Sequence, residues 1–86
     1  MATHVLKIRP QYLRDVVSGK KKFEVRKDDR NFQVGDILVL VEFDTASPCP
    51  EFNESHSLDC VVTYKLPGGQ FGIESGYCVL GIELKG

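Results

Sequence analysis

Short segments that alternate between polar and apolar residues, separated by glycine, proline and acidic turns, make up most of this 86-residue chain. Such alternation is typical of half-buried β-strands. It predicts strands at residues 3–9, 21–27, 37–43, 58–66 and 77–84. The strand at 37–43 is almost continuously apolar, which predicts burial on both faces. In the last strand, Cys78, Leu80, Ile82 and Leu84 are predicted to point inward.

One segment has helical rather than strand spacing. Pro10 suits the first position of a helix, and Leu13, Val16 and Val17 follow the spacing of one apolar helical face. Gly19 suits a left-handed helix end. About five strands and one short N-terminal helix, without alternating strands and helices, predict a mainly β, α+β domain over residues 1–86. We expect a curled, barrel-like sheet with the helix packed on it; a small open α+β sheet is the alternative.

Composition narrows the class of protein. No apolar run approaches the ~20 residues that span a bilayer, and the start lacks the pattern of a secretion signal. The three cysteines, Cys49, Cys60 and Cys78, are odd in number and form no C-x-x-C pair. They therefore indicate core or spectator thiols rather than disulfides or a zinc site. We predict a cytoplasmic protein with no membrane segment, metal or cofactor.

The net charge of −1 conceals an asymmetry between the two halves. Residues 1–43 hold nine Lys/Arg and six Asp/Glu, whereas residues 44–86 hold two and six. The front half is therefore at +3 and the back half at −4. A basic front half can present a positive face to an anionic partner, with local and modest phosphate binding.

The octet Gly19–Arg26 has the pattern G-x-K-x-x-E-x-R. Residues two apart on a strand share a face, so Glu24 and Arg26 are predicted to project together. Phe23 and Val25 are predicted to face the core. This pattern describes either a solvated surface ion pair or a ligand site. A ligand site requires nearby cations to converge on it, and five lysines and arginines are candidates: Lys20, Lys21, Lys22, Lys7 and Arg9.

The octet after a first helix, followed by Phe32-Gln-Val-Gly-Asp36 before an apolar strand, resembles the ASCH domain (activating signal cointegrator homology). The match is at Gly19, Lys21, Glu24 and Arg26. The chain looks most like a compact bacterial or phage branch with no assigned activity. The resemblance implies a PUA-like pseudobarrel with a cleft beside the helix, and a role in RNA binding or RNA metabolism.

Some ASCH-like proteins are small hydrolases that act on acetylated cytidine or on RNA. The amidohydrolase type resembles this chain at Lys21 but has threonine where Glu24 stands, and it uses a second carboxylate from the C-terminal half. Glu74 is the nearest candidate. The acid at position 24 argues for binding rather than amide hydrolysis. The alternative catalytic set is Lys21, Glu24 and Glu74.

Other chemistry-bearing patterns fail on geometry. On a strand, His56 faces away from Ser57 and Asp59, so the three do not form a catalytic triad. The segment Pro67–Gly72 lacks the Gly-Lys-Ser/Thr of a phosphate loop and predicts a hairpin connection. Exposed aromatic rings stack on bases, but those of a small core mostly pack. The pattern therefore assigns no such role among Tyr12, Tyr64, Phe71 and Tyr77.

We therefore predict an RNA- or nucleotide-binding domain whose cleft is lined by Lys21, Glu24 and Arg26. Lys21 would contact an anionic group, and Arg26, oriented by Glu24, would hold a phosphate or stack on a base. Lys20, Lys22, Lys7 and Arg9 would extend the positive rim. Two alternatives stay open: a small hydrolase of a modified nucleoside or RNA, and a protein-interaction module with a structural ion pair.

Overall fold

The computed structural model describes residues 1–43 and 52–85, and of residues 52–56 only the backbone. Its elements are β1 (Thr3–Ile8), α1 (Pro10–Val17), β2 (Phe23–Lys27), β3 (Ile37–Phe43), β4 (Phe52–Pro67) and β5 (Tyr77–Leu84). The predicted fold class is confirmed: one short helix and a curled, barrel-like sheet. Residues 44–54 hold Pro48 and Pro50 and lack periodicity, so the sequence predicts a loop there. Up to residue 51, this segment lies outside the described residues. Its last three residues belong to β4, which is longer than predicted.

The strands form one mixed sheet in the order β1-β3-β4-β5-β2. β1 pairs with β3 in parallel, and the other three pairings are antiparallel. The sheet curls into a half-barrel, so its two edge strands, β1 and β2, approach each other. This approach positions the candidate site.

Helix α1 begins and ends where its sequence predicts. Pro10 occupies its first turn, where the missing N–H breaks no hydrogen bond. Beyond its end, Gly19 adopts a φ of +83°, a left-handed conformation that favours glycine. Leu13 and Val16 join the core, whereas Val17 is exposed. The apolar face of the helix is therefore narrower than its spacing suggests.

The core fills the concave side of the sheet and the space under α1. Its members are Leu6, Ile8, Leu13, Val16, Phe32, Leu38, Leu40, Cys60, Val62, Cys78, Leu80 and Ile82. Cys60 and Cys78 are buried free thiols, as predicted, while Cys49 lies outside the described residues. β3 is buried at Leu38, Leu40 and Val41 and half-buried at Ile37 and Val39. Leu84, predicted to point inward, is exposed at the end of β5.

The predicted orientation of β2 is wrong. Phe23 and Val25 are 48% and 54% exposed, whereas Glu24 is only 4% exposed. The cause is the register with β5, in which Glu24 lies opposite Leu80 and Arg26 opposite Cys78. Directly opposed residues share a face, and both β5 residues are fully buried. Glu24 and Arg26 do share a face, but it is the inner one.

The Val34-Gly35-Asp36 turn ties the start of β1 to the start of β3. Gly35 adopts a φ of +95°, which a side chain rarely tolerates. The buried Asp36 carboxylate accepts the backbone N–H groups of Ala2 and Gln33, each at 3.0 Å, and lies 2.9 Å from His4 Nε2. These contacts lower the pKa of Asp36 to about 2, Ala2 contributing most, although burial opposes them. This part of the sequence motif therefore has a structural role.

A glycine inside a strand pattern predicts a bulge or a close backbone approach, and Gly81 marks such a place. The register of β4 and β5 shifts between Val62 and Tyr64, directly opposite this glycine. A Cβ at Gly81 would lie 2.9 Å from Thr63 Oγ1 and 3.3 Å from Tyr64 Cβ. Only a residue without a side chain fits there.

Across the described residues, α1 is far too short to cross a bilayer, and no membrane-spanning helix is found.

Candidate functional site

A cavity of about 440 Å³ opens between the edge strands, where β1 runs into α1 and β2 begins. This volume lies in the range of small-molecule sites. We call it the seam cavity. Its lining residues are Lys7, Ile8, Arg9, Tyr12, Lys21, Phe23, Glu24, Val25 and Arg26.

Glu24 forms the centre of the seam cavity. Its side chain is 5% exposed, and each carboxylate oxygen has a cationic partner. Lys21 Nζ donates to Oε1, and Arg26 Nε donates to Oε2 at 2.9 Å. A terminal nitrogen of the same guanidinium lies 2.8 Å from Oε2. A buried carboxylate is costly unless it is paired and hydrogen-bonded in this way. Glu24 therefore fixes the positions of both cations.

Lys21 is positioned by the turn that ends α1. Its backbone N–H donates to the Asp15 carbonyl at 3.0 Å, and its Nζ donates to the Phe23 carbonyl at 2.7 Å. The same ammonium lies 5.1 Å from the Phe23 ring centre and 5.8 Å from that of Tyr12. Both distances allow a cation–π interaction. Lys21 thus links the carboxylate to two aromatic rings.

Arg26 connects the two edge strands. The terminal nitrogen that contacts Glu24 also donates to the Lys7 carbonyl of β1 at 2.8 Å. A second arginine, Arg30, donates to the Val5 carbonyl at 3.0 Å, two residues before Lys7 on β1. Within the described residues, β1 forms its backbone ladder with β3, and β2 with β5. Side chains therefore bridge the gap between β1 and β2.

The seam cavity is electropositive. Four cationic side chains (Lys7, Arg9, Lys21 and Arg26) and one carboxylate line it, a formal charge of +3. Lys7 and Arg9 lie exposed on the β1 side, and the Lys7 ammonium lies 4.8 Å from the Phe43 ring centre. An excess of cations in a concave site attracts anions.

The interior beneath the cavity offers no activated thiol. Burial, followed by the negative charges of Glu24 and Asp59, raises the pKa of Cys60 to about 11. Nucleophilic cysteines have the opposite shift. Among residues whose side chains are described, no three His, Cys, Asp or Glu lie together as metal ligands.

The structure brings together five of the predicted binding residues, namely Lys7, Arg9, Lys21, Glu24 and Arg26. It leaves two outside: Lys22 lines a separate groove with Val16 and Thr63, and Lys20 is exposed at the turn after α1. Glu74, of the alternative catalytic set, is exposed in the β4–β5 connection and does not line the cavity. The side chain of His56 lies outside the described part of the chain.

The sequence patterns assign neither of the cavity's two aromatic residues, Tyr12 and Phe23, to a ligand site. Phe23 was predicted to face the core, and only the register of β2 shows that its ring lies outside. Tyr12 is 45% exposed and lies one helical turn after Arg9, so both reach the same side of the chain. That three-residue spacing was the available signal for Tyr12.

Comparison with known proteins gives a family and a shared fold. Residues 3–82 match the family described as "Domain of unknown function (DUF3850)". A 40-residue stretch is 45% identical to the "Uncharacterized 12.9 kDa protein in GpA 3'region" of Escherichia phage P2, over 46% of this chain. The match covers 37% of the phage protein, so the chain spans little more than a third of that relative. The crystal structure of hypothetical protein PH0355 superposes with a TM-score of 0.66 at 18% identity, covering 98% of this chain and 99% of that one.

Proposed function

Because the chain belongs to the DUF3850 family, whose description assigns no activity, we propose a function from its seam cavity: binding of RNA or a nucleotide-like ligand. One observation carries the proposal. Four cations and two half-exposed aromatic rings surround a single cavity of about 440 Å³. Cationic side chains bind phosphate, and exposed aromatic rings stack on bases.

Each group has a role that follows from its position. The exposed Lys7 and Arg9 contact phosphate, because both residues line the cavity on its β1 side. The rings of Tyr12 and Phe23 offer faces on which a base stacks. Glu24 holds Lys21 and Arg26 in place, so both cations meet the ligand already ordered.

The bonding of the central residues supports binding over catalysis. The Lys21 ammonium donates to the Glu24 carboxylate and to the Phe23 carbonyl, and the same carboxylate accepts from Arg26. A general base needs an unengaged lone pair within reach of its substrate. Glu74, the second carboxylate of the hydrolase alternative, lies away from the cavity lining.

A relationship to the ASCH domain and the PUA-like barrels is part of the same proposal. The octet residues Lys21, Glu24 and Arg26 meet in one cavity, and the half-barrel and the Gly35 turn agree with the resemblance. A cytoplasmic location is also proposed, which the free thiols of Cys60 and Cys78 support.

The test measures binding of fluorescein-labelled ribo(CA)₃ and of unlabelled AMP, the latter by displacement, at low salt. Removing both rim cations in Lys7→Ala/Arg9→Ala should weaken both ligands by about tenfold or more. It should also reduce the slope of log K against log salt for the RNA by about 1.4. The charge-matched control is Arg14→Ala/Lys85→Ala, which should stay within about twofold because Arg14 lines a different groove.

Arg26→Ala gives an independent arm of this test. Its binding is measured only on protein whose circular dichroism shows the native fold, since Arg26 also bridges the edge strands. We expect a loss of at least about tenfold. Unchanged affinity in both Arg26→Ala and Lys7→Ala/Arg9→Ala would contradict the proposed function.

A further inference from the structure

The outer face of β2, β5 and β4 carries an apolar surface that the core does not use. Because the register places Glu24 inward, Phe23 and Val25 lie on the outside. Phe23 lies opposite Gly81, and Gly81 lies opposite Tyr64, which is 65% exposed. These three residues form one row across the three strands, which we call the aromatic row.

The aromatic row is continuous with the seam cavity. Phe23 belongs to both, since its ring lines the cavity and its strand position is on the outer face. Neighbouring strands lie about 4.8 Å apart, so the Cα atoms of Phe23 and Tyr64 are roughly 10 Å apart. Gly81 between them adds no side chain. The group beside Gly81 is the Thr63 hydroxyl, whose oxygen lies 2.9 Å from where a Cβ at Gly81 would stand. A ligand that leaves the cavity over Phe23 therefore meets a second ring across one small polar group.

Charge around the aromatic row favours a polyanion over a protein surface. Lys22 directly precedes Phe23, and Lys27 ends the same strand; both are exposed. The exposed Glu83 lies two residues after Gly81 on β5 and adds a negative charge at that end of the face. Sequence-tolerant binding of single strands combines such lysines with rings on which bases stack.

We propose that the ligand of the seam cavity is a single-stranded RNA whose chain continues over Phe23 onto the outer face, where Tyr64 stacks on a further base. This inference rests on the proposed function and names its substrate class. A stacked strand advances about 3.4 Å per nucleotide, so a tetranucleotide reaches from one ring to the other. A mononucleotide fills the cavity alone.

The experiment compares ribo(CA)₃ with AMP on the intact protein. The hexanucleotide should bind at least about tenfold more tightly than AMP. Tyr64→Ala should weaken the hexanucleotide roughly tenfold and leave AMP within about twofold, because Tyr64 lies outside the cavity. Tyr64→Phe is the matched control and should bind as the wild type does. Glu83→Lys should strengthen the hexanucleotide alone.

The outcomes separate this inference from the proposed function. Tight AMP binding with no gain for the hexanucleotide, or no effect of Tyr64→Ala, overturns the inference and leaves the cavity proposal standing. If neither ribo(CA)₃ nor AMP binds, both the inference and the proposed function are overturned. A wild-type dimer that Tyr64→Ala converts to a monomer in sedimentation also overturns the inference, because the face then joins two copies of the chain. Tyr64 is mostly exposed and the substitution keeps its Cβ, so the variant should fold.

Discussion

The guanidinium of Arg26 lies 2.8 Å from the carbonyl oxygen of Lys7, across the gap between the two edge strands. An exposed edge strand presents unpaired backbone groups, which proteins cover or block. Here Arg26 donates to the carbonyl of Lys7, and Arg30 donates to the carbonyl of Val5, two residues before Lys7 on β1. The cavity therefore exists because side chains, rather than a backbone ladder, span this gap.

Replacing Arg26 should cost more than replacing Arg30. Arg26→Lys loses the fork that reaches Glu24 and the Lys7 carbonyl together, and we expect a loss of about 2 kcal/mol in the free energy of unfolding. Arg30→Lys removes a contact at an exposed position and should cost less than about 1 kcal/mol. Urea unfolding of the two variants makes the comparison. Equal losses would mean that Glu24 adds nothing to the bridge.

Glu24→Gln should destabilise the fold by about 2–3 kcal/mol. The substitution keeps the shape of the side chain but leaves Lys21 and Arg26 without their counter-charge. The expected loss is smaller than the roughly 3–5 kcal/mol for breaking a fully buried pair, since both cations keep some contact with water. Adding Lys21→Met to Glu24→Gln should recover about 1 kcal/mol, a coupling that a double-mutant cycle measures. Strict additivity would refute the coupling.

Stability should fall in acid through Asp36. Its pKa is lowered from 3.8 to about 2 in the folded protein, chiefly by the Ala2 N–H and then by His4. A carboxyl with a depressed folded pKa stabilises the protein fully above its unfolded value, and that stability is lost as the pH falls from about 4 to about 2. Asp36→Asn should cost about 2 kcal/mol at pH 7. In urea unfolding, the difference in the free energy of unfolding between wild type and Asp36→Asn should narrow as the pH approaches 2. A constant difference would contradict the assignment of this acid sensitivity to Asp36.

Phe71→Asn should leave the protein as stable or raise its stability by up to about 1 kcal/mol. Phe71 is 84% exposed and adopts a φ of +53°, a conformation that bulky residues disfavour and asparagine tolerates. The exposed ring contributes little burial to lose. Phe71→Val is the contrasting variant, because β-branching makes that conformation worse. In thermal unfolding, the Tm of Phe71→Asn should be at least that of the wild type, and the Tm of Phe71→Val should be the lowest.

Local signals in the sequence predicted the elements because those signals act over a few residues. Pro10 and Gly19 bound the helix, and Gly81 indicated the close approach that Thr63 and Tyr64 make. The bounds of β5 match the prediction. The length of β4 was underestimated because its first residues include charged and polar side chains without clear alternation.

The candidate site was only partly predictable, for a geometric reason. Strand alternation determined by itself that Glu24 and Arg26 share a face, since side chains repeat every two residues. It cannot say which of the two faces is buried. The pairing of Glu24 with Leu80 decided that, and it turned the acid inward and Phe23 outward. The meeting of Lys7 and Arg9 with Lys21 likewise depends on the curl of the sheet, which brings together edge strands that share no backbone ladder in the described chain.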